Sequence, residues 1–301
     1  MAPGLVPGLS AWEYSGNLKL HSEQVSAHDA RAPADRKFRY FFPYAGWAGF
    51  YGSTAEDMLF SYHKEVACAF QAELPGVNVW VTVDARQDNR EFNDWTPEEY
   101  DLAAGRIADA VLADPCAHGV HVDIEPFHPS HQPFYASLRD RLTKGGKLTS
   151  LFAHGEWATP EMLASVDLFV VSGYDALGSP SDPTQFGPYL DRQLGNLAAN
   201  AKKVEGHYML GIPASASWGE WERTQGPDCP DGEISGHTMG EYLAGVMEAY
   251  CAHRADPRFL GMSLWAMGRE PDAECTRGCC RYPTEVTAEA WTTLATACPT
   301  P

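Results

Sequence analysis

Gly119-Val120-His121-Val122-Asp123-Ile124-Glu125-Pro126 alternates apolar and polar side chains. As an extended strand it puts Val120, Val122 and Ile124 on one face and His121, Asp123 and Glu125 on the other. Three ionisable groups on one face of a buried strand are costly unless each has a partner, water or a ligand. The stretch therefore reads as a functional strand. Helical patterns flank it on both sides, which points to a parallel sheet covered by helices rather than an antiparallel sheet with one wet face.

Outward from this strand, strand-like runs recur eight times: 8–14, 38–44, 77–84, 119–125, 147–154, 168–175, 208–213 and 260–267. Between them lie helical patterns. The clearest opens at Thr96 with Pro97, Glu98 and Glu99, a capping residue followed by a proline and acids that suit the helix dipole. Its apolar positions Leu102, Ile107, Val111 and Leu112 are expected on one side. Others start near Gln185 and Thr238, and a last one covers 287–297. Residues 16–37 are polar with only scattered Leu and Val, and yield no assignment. Eight alternating units predict an α/β fold, a single (β/α)8 TIM barrel spanning 1–301 as one domain. The Pro- and Gly-rich pieces at 179–183 and 226–232 are short enough to be loops of that domain.

The formal net charge of −18 opposes nucleic-acid binding, which draws on Lys and Arg to neutralise phosphates. No run of eighteen apolar residues occurs, so no membrane partner is expected. The N-terminus lacks the regions of a signal peptide, which leaves a cytoplasmic protein or one whose leader was removed, with the extracellular reading slightly favoured. A monomer without cofactor or metal is expected. Of the eight cysteines, Cys275, Cys279 and Cys280, with Cys229 and Cys298 near in sequence, suggest disulfides in late loops, whereas Cys68 reads as core packing.

In a closed barrel the reacting groups sit at the C-terminal ends of the strands. Those ends hold Tyr14, then Tyr44 and Trp47, Asp84, Asp123 and Glu125, His154, Tyr174 and Asp175, and Trp265. Aromatic faces pack on the C–H faces of sugar rings while carboxylates serve hydroxyls and glycosidic oxygens, so the set suggests a carbohydrate site.

These residues resemble glycoside hydrolase family 18, the chitinases and endo-β-N-acetylglucosaminidases. The family's fourth strand carries D-G-x-D-x-D-x-E, and the matching run here is His118 to Glu125. Ser172-Gly173-Tyr174-Asp175 is similar to its sixth-strand M-x-Y-D, Gly211-Ile212-Pro213 to its G-x-P, and Ser263-Leu264-Trp265-Ala266 to its eighth strand. The resemblance implies a retaining glycosidase acting on a β-linked N-acetylhexosamine glycan or polysaccharide. It makes Glu125 the general acid and base, Asp123 the orienter of the substrate's acetamido group and Tyr174 its hydrogen-bonding partner. Asp175, Trp265, His121, Tyr44, Trp47 and Asp84 would contact the sugar. Burial of Glu125 among aromatic groups would raise its pKa toward that task. The chain departs from the family at His118, His121 and Ser172. His121 is expected either to partner Asp123 as a cation or hydrogen-bond donor, or to mark a different substrate or a lost activity. Two other readings stay open: a metal-dependent barrel hydrolase using His121, Asp123 and Glu125 with His154 or Asp84, and a non-catalytic carbohydrate-binding protein.

Overall fold

The computed structural model describes residues 4–14, 16–52, 54–85, 90–173, 182–213, 239–267, 286 and 288–298. Among these residues nine strands form one sheet: β1 Gly8–Glu13, β2 Tyr40–Gly49, β3 Leu59–Tyr62, β4 Asn78–Ala85, β5 Gly119–Asp123, β6 Leu148–Ala153, β7 Leu168–Ser172, β8 Tyr208–Pro213 and β9 Phe259–Met267. Their order is β1-β9-β8-β7-β6-β5-β4-β2-β3, and β1 also pairs with β2. That last pairing closes eight parallel strands into a barrel, with β5 as its fourth strand. The fold is the (β/α)8 barrel that the alternation implies.

β3 is an addition. It runs antiparallel to β2, from Gly46 opposite Tyr62 to Gly49 opposite Leu59. β4 occupies one edge of β2 as far as Ala48, while β1 holds the other edge only at Phe42 and Pro43. β3 takes over the edge that β1 leaves, so the backbone groups of Gly46–Gly49 find partners above the barrel rim.

Strand alternation divides the core in two. Trp12, Tyr40, Phe42, Trp80, Leu148, Phe152, Leu168, Val170, Met209 and Leu260 fill the barrel interior. Their odd or even neighbours, including Leu9, Phe41, Val79, Val81, Val120, Val122, Ile124, Leu151, Phe169 and Leu210, pack outward under the helices. The apolar face read from 119–125 is therefore the helix-facing one.

The helices are α1 Leu18–Asp29, α2 Glu65–Glu73, α3 Pro97–Leu112, α4 Gln132–Lys144, α5 Pro160–Ala164, α6 Phe186–Val204, α7 Met239–His253 and α8 Ala288–Ala295. α3 begins with the expected reciprocal cap: the Glu99 N–H donates to Thr96 Oγ1 at 3.3 Å and the Thr96 N–H to Glu99 Oε2 at 2.7 Å. Its buried stripe is Tyr100, Ala103, Ala104, Ile107, Ala108 and Val111. Leu102 does not belong to it and is 57% exposed, because the alanines carry the inward face. α1 fills part of the unassigned segment. Its buried residues are His21, Val25 and His28, so two of three inward positions are histidines and no apolar period shows.

Two disulfides staple the described chain. Cys68 on α2 bonds Cys116, just before β5, and Cys251 on α7 bonds Cys298 after α8. This corrects the reading of Cys68 as packing and of Cys298 as a partner for late-loop cysteines. Each pairing depends on approach in space, with Cα atoms 4.9 and 5.6 Å apart, across 48 and 47 residues of chain. Cys229, Cys275, Cys279 and Cys280 lie outside the described residues.

Candidate active site

Register brings the rim residues into one row. Trp47 lies opposite Asp84, and Asp84 opposite Asp123, across three neighbouring strands. Neighbours in a sheet at the same register share a face, so all three belong to the inward face. A bulge makes this possible. Tyr44 pairs with Thr82 but Gly46 already pairs with Val83, so Ala45 is the extra residue. Without it Tyr44 and Trp47, three positions apart, would face opposite ways. With it both face inward while Ala45 and Ala48 pack under the helices.

Asp123 ends β5 half-buried. Ile124 then turns into the helix-facing core, which returns Glu125 to the open side, where it is exposed. The burial expected of Glu125 is therefore not a property of the free chain, and the same step of backbone that separates it from Asp123 explains why. The Glu125–Pro126 peptide is cis.

Below Asp123 the barrel interior is largely aromatic and apolar, with uncharged polar groups such as His121 and Ser150 set into it. His121 is completely buried, stacked on Phe42 at 4.4 Å and edge-on to Trp12 at 5.4 Å. The Trp12 indole N–H donates to His121 Nε2 at 2.9 Å, and His121 Nδ1 lies 2.8 Å from Ser150 Oγ. An indole nitrogen only donates, so Nε2 must be the unprotonated nitrogen and Nδ1–H donates to Ser150. Burial pushes the His121 pKa down to about 3. His121 is thus a neutral histidine with both nitrogens engaged, and the expected cationic or hydrogen-bonding partnership with Asp123 does not form. His118, the other departure from the motif, sits at the opposite end of the strand, where its Nδ1 accepts the Val79 N–H at 3.2 Å.

Aromatic side chains ring the mouth. Trp265, half-buried, meets Tyr14 edge-on at 5.5 Å and Trp12 at 5.6 Å. Tyr14 in turn stacks on Tyr44 at 5.9 Å. Three partly exposed rings from β2, from β9 and from just after β1 thus share one patch at the C-terminal end, over the Trp12–His121 layer. Trp12 and Ser150 are the residues that strand-end reading passes over. Their signal was the two-residue period, since Trp12 lies one pleat below Tyr14 and Ser150 is level with His121, one pleat below Asp123.

Tyr174 and Asp175 lie outside the described residues. His154 follows β6, with its Nδ1 3.7 Å from Glu156 Oε1, both partly exposed. For the metal reading, His121 has no ring nitrogen to offer. Among the described residues the group of His, Cys, Asp and Glu close enough to share an ion is Cys68, Asp114 and Cys116, and those two sulfurs are bonded to each other.

No protein-family model matches the chain, and no curated protein matches it significantly. Solved structures do. A class V chitinase from Pseudomonas fluorescens Pf-5 superposes with a TM-score of 0.60 at 12% identity, over 96% of this chain and 98% of that one. A glycoside hydrolase family 5 mannosidase from Rhizomucor miehei gives 0.59 at 10%, covering 98% and 92%. The spore cortex-lytic enzyme SleL of Bacillus megaterium gives 0.56 at 10%, covering 97% and 74%. At these identities the likeness is one of architecture, and it agrees with the strand order: the chain folds as a (β/α)8 barrel.

Proposed function

We propose that the chain is a retaining glycoside hydrolase that cleaves a β-linked N-acetylhexosamine glycan with help from the substrate's own acetamido group. The observation that carries the reading is the rim itself. Asp123, half-buried, and Glu125, exposed, leave the same strand end, at the end of the barrel that also carries the patch of Tyr14, Tyr44 and Trp265. Barrels of similar shape include a chitinase, a mannosidase and a spore cortex-lytic enzyme, which supports a sugar substrate.

In this reading Glu125 gives its proton to the glycosidic oxygen as the C1–O bond breaks. The acetamido carbonyl oxygen bonds to C1 from the other face, and Asp123 accepts the amide N–H and stabilises the positive charge that develops. Glu125, now a carboxylate, takes a proton from the water that opens the cyclic intermediate, so configuration at C1 is retained. Because Glu125 is exposed in the free chain, the sugar that covers it supplies the desolvation a general acid requires. Trp265 and Tyr44 hold the ring, Asp84 and His121 shape the floor, and Tyr174 and Asp175, from the sixth barrel strand's motif, complete the acetamido pocket.

The test is hydrolysis of defined β-linked N-acetylglucosamine oligomers and high-mannose glycopeptides by wild type and Glu125→Gln, with and without a thiazoline mimic of the cyclised intermediate. Turnover that Glu125→Gln abolishes while binding persists, together with inhibition by the thiazoline, supports the proposal. Turnover indifferent to the thiazoline points to a two-carboxylate mechanism. Binding with no turnover by wild type points to a carbohydrate-binding protein.

A further inference from the structure

The β2–β3 hairpin rises above the rim, and its inward face continues the row that contains Asp84 and Asp123. After the bulge, alternation puts Trp47 and Gly49 on that face and sends Ala48 and Phe50 into the helix-facing core. Tyr51 follows on the same side, partly exposed. Gly49 shows what its missing side chain allows. A Cβ built there would lie 2.3 Å from Tyr51 Cε2 and 3.2 Å from Trp47 Cζ3. Two aromatic rings therefore close over a bare stretch of backbone, from opposite ends. At about 3.3 Å per residue the Trp47 row is some 7 Å from Gly49, so this strip lies beyond the patch around Trp265 rather than within it.

Rings laid against a strand, each keeping one part in solvent, are the geometry that packs the C–H face of a pyranose. We infer that Trp47 and Tyr51, brought together over Gly49, form a second sugar subsite, which takes a further residue of the same β-linked chain. This rests on the proposed glycosidase reading and deepens it, since a strip outside the reacting centre favours chains over single terminal sugars. β3 is what holds the strip in place, because it pairs with Gly46–Gly49 along the edge that β1 leaves and reaches Gly49, one residue past the last β4 partner.

The experiment measures KM and kcat on N-acetylglucosamine oligomers from two to six residues for wild type, Tyr51→Ala, Tyr51→Phe and Gly49→Ala, and calorimetric binding of the same oligomers to Glu125→Gln with and without Tyr51→Ala. Tyr51→Ala is expected to raise KM by a factor that grows with chain length, reaching roughly tenfold on the hexamer, as loss of an aromatic contact implies. Tyr51→Phe keeps wild-type values because the ring face remains. Gly49→Ala displaces the Tyr51 ring and follows Tyr51→Ala with little change in stability. A KM penalty equal at all lengths, or no penalty at any, overturns the inference while leaving the glycosidase reading intact. Tyr51-dependent, length-dependent binding without turnover by wild type does the reverse. Absence of binding overturns both.

Discussion

The neutral His121 makes a quantitative claim about pH. Its ring is fully buried, accepts from Trp12 at 2.9 Å and meets Ser150 at 2.8 Å, and burial lowers its pKa from 6.5 to about 3. In the unfolded chain it titrates near 6.5. Between these values the unfolded state binds a proton that the folded state refuses, so stability is full above pH 6.5 and falls as pH drops toward 3. At pH 5.5 the loss from this one side chain is about 1 kcal/mol, and near pH 4 roughly 3 kcal/mol. His21 and His131, lowered by burial to about 4 and about 3, add losses of the same sign. His121→Leu isolates the term. It keeps much of the bulk but leaves the Trp12 N–H and the Ser150 hydroxyl buried without this partner, at about 1–3 kcal/mol each. At pH 8 the variant should therefore be some 2–6 kcal/mol less stable than wild type. At pH 5.5 that gap should shrink by about 1 kcal/mol, because only the wild type still has to exclude the proton. Urea unfolding followed by tryptophan fluorescence at the two pH values measures it. A gap that stays constant, or a variant as stable as wild type at pH 8, refutes the assignment of a neutral, doubly hydrogen-bonded ring.

Replacing Cys68 and Cys116 together by serine removes a crosslink across 48 residues and should lower stability by up to about 4 kcal/mol, read as a shift in urea midpoint that reducing agent exceeds in wild type, because it also opens Cys251–Cys298. Gly46→Ala should cost about 1–3 kcal/mol, since its Cβ would lie 2.1 Å from the Ser61 carbonyl oxygen, a backbone atom. Gly49→Ala meets only side-chain atoms, of the Tyr51 and Trp47 rings, and should cost far less, so equal melting shifts for the two would contradict this account of the hairpin. Thr96→Ala breaks the reciprocal cap of α3 and should cost about 1 kcal/mol in thermal or urea melts, without affecting any sugar-binding readout.

How much of this was legible in the sequence follows from what period and spacing encode. The barrel strands were readable because a strand buried on both faces reads as an apolar run, and the two faces of 119–125 fell where alternation put them. β3 was not, because its four residues, Leu59-Phe60-Ser61-Tyr62, exist to pair with β2 after β1 ends, a need that only three-dimensional closure creates. α1 hid behind buried histidines, and Leu102 was misplaced because alanines carry so little hydrophobic signal. At the rim, Tyr44 and Trp47 were chosen as strand-end aromatics, yet their shared face depends on one bulge at Ala45 that no local pattern announces. The burial of Glu125 was inferred from the strand that precedes it. The strand ends at Asp123, Ile124 is still buried, and Glu125 beyond it is exposed.

The replacement at position 121 changes what the floor of the site can do. In the motif that the chain resembles, an acidic side chain stands there and shares a proton with the next carboxylate. Here a carboxylate would be enclosed by Phe42, Trp12 and Trp80, with the Trp12 N–H and Ser150 as the donors on hand. A charge in that setting is costly, and a neutral imidazole avoids the cost while still accepting from Trp12. The run of acidic side chains then stops at the rim, at Asp123, with no carboxyl at 121 to share a proton with it. A neutral ring with both nitrogens engaged leaves no relay that passes a proton from Asp123 down into the barrel. The same bonds fix Trp12 beneath Trp265, so the group that ends the acidic ladder also sets the height of the aromatic patch on which a sugar would rest.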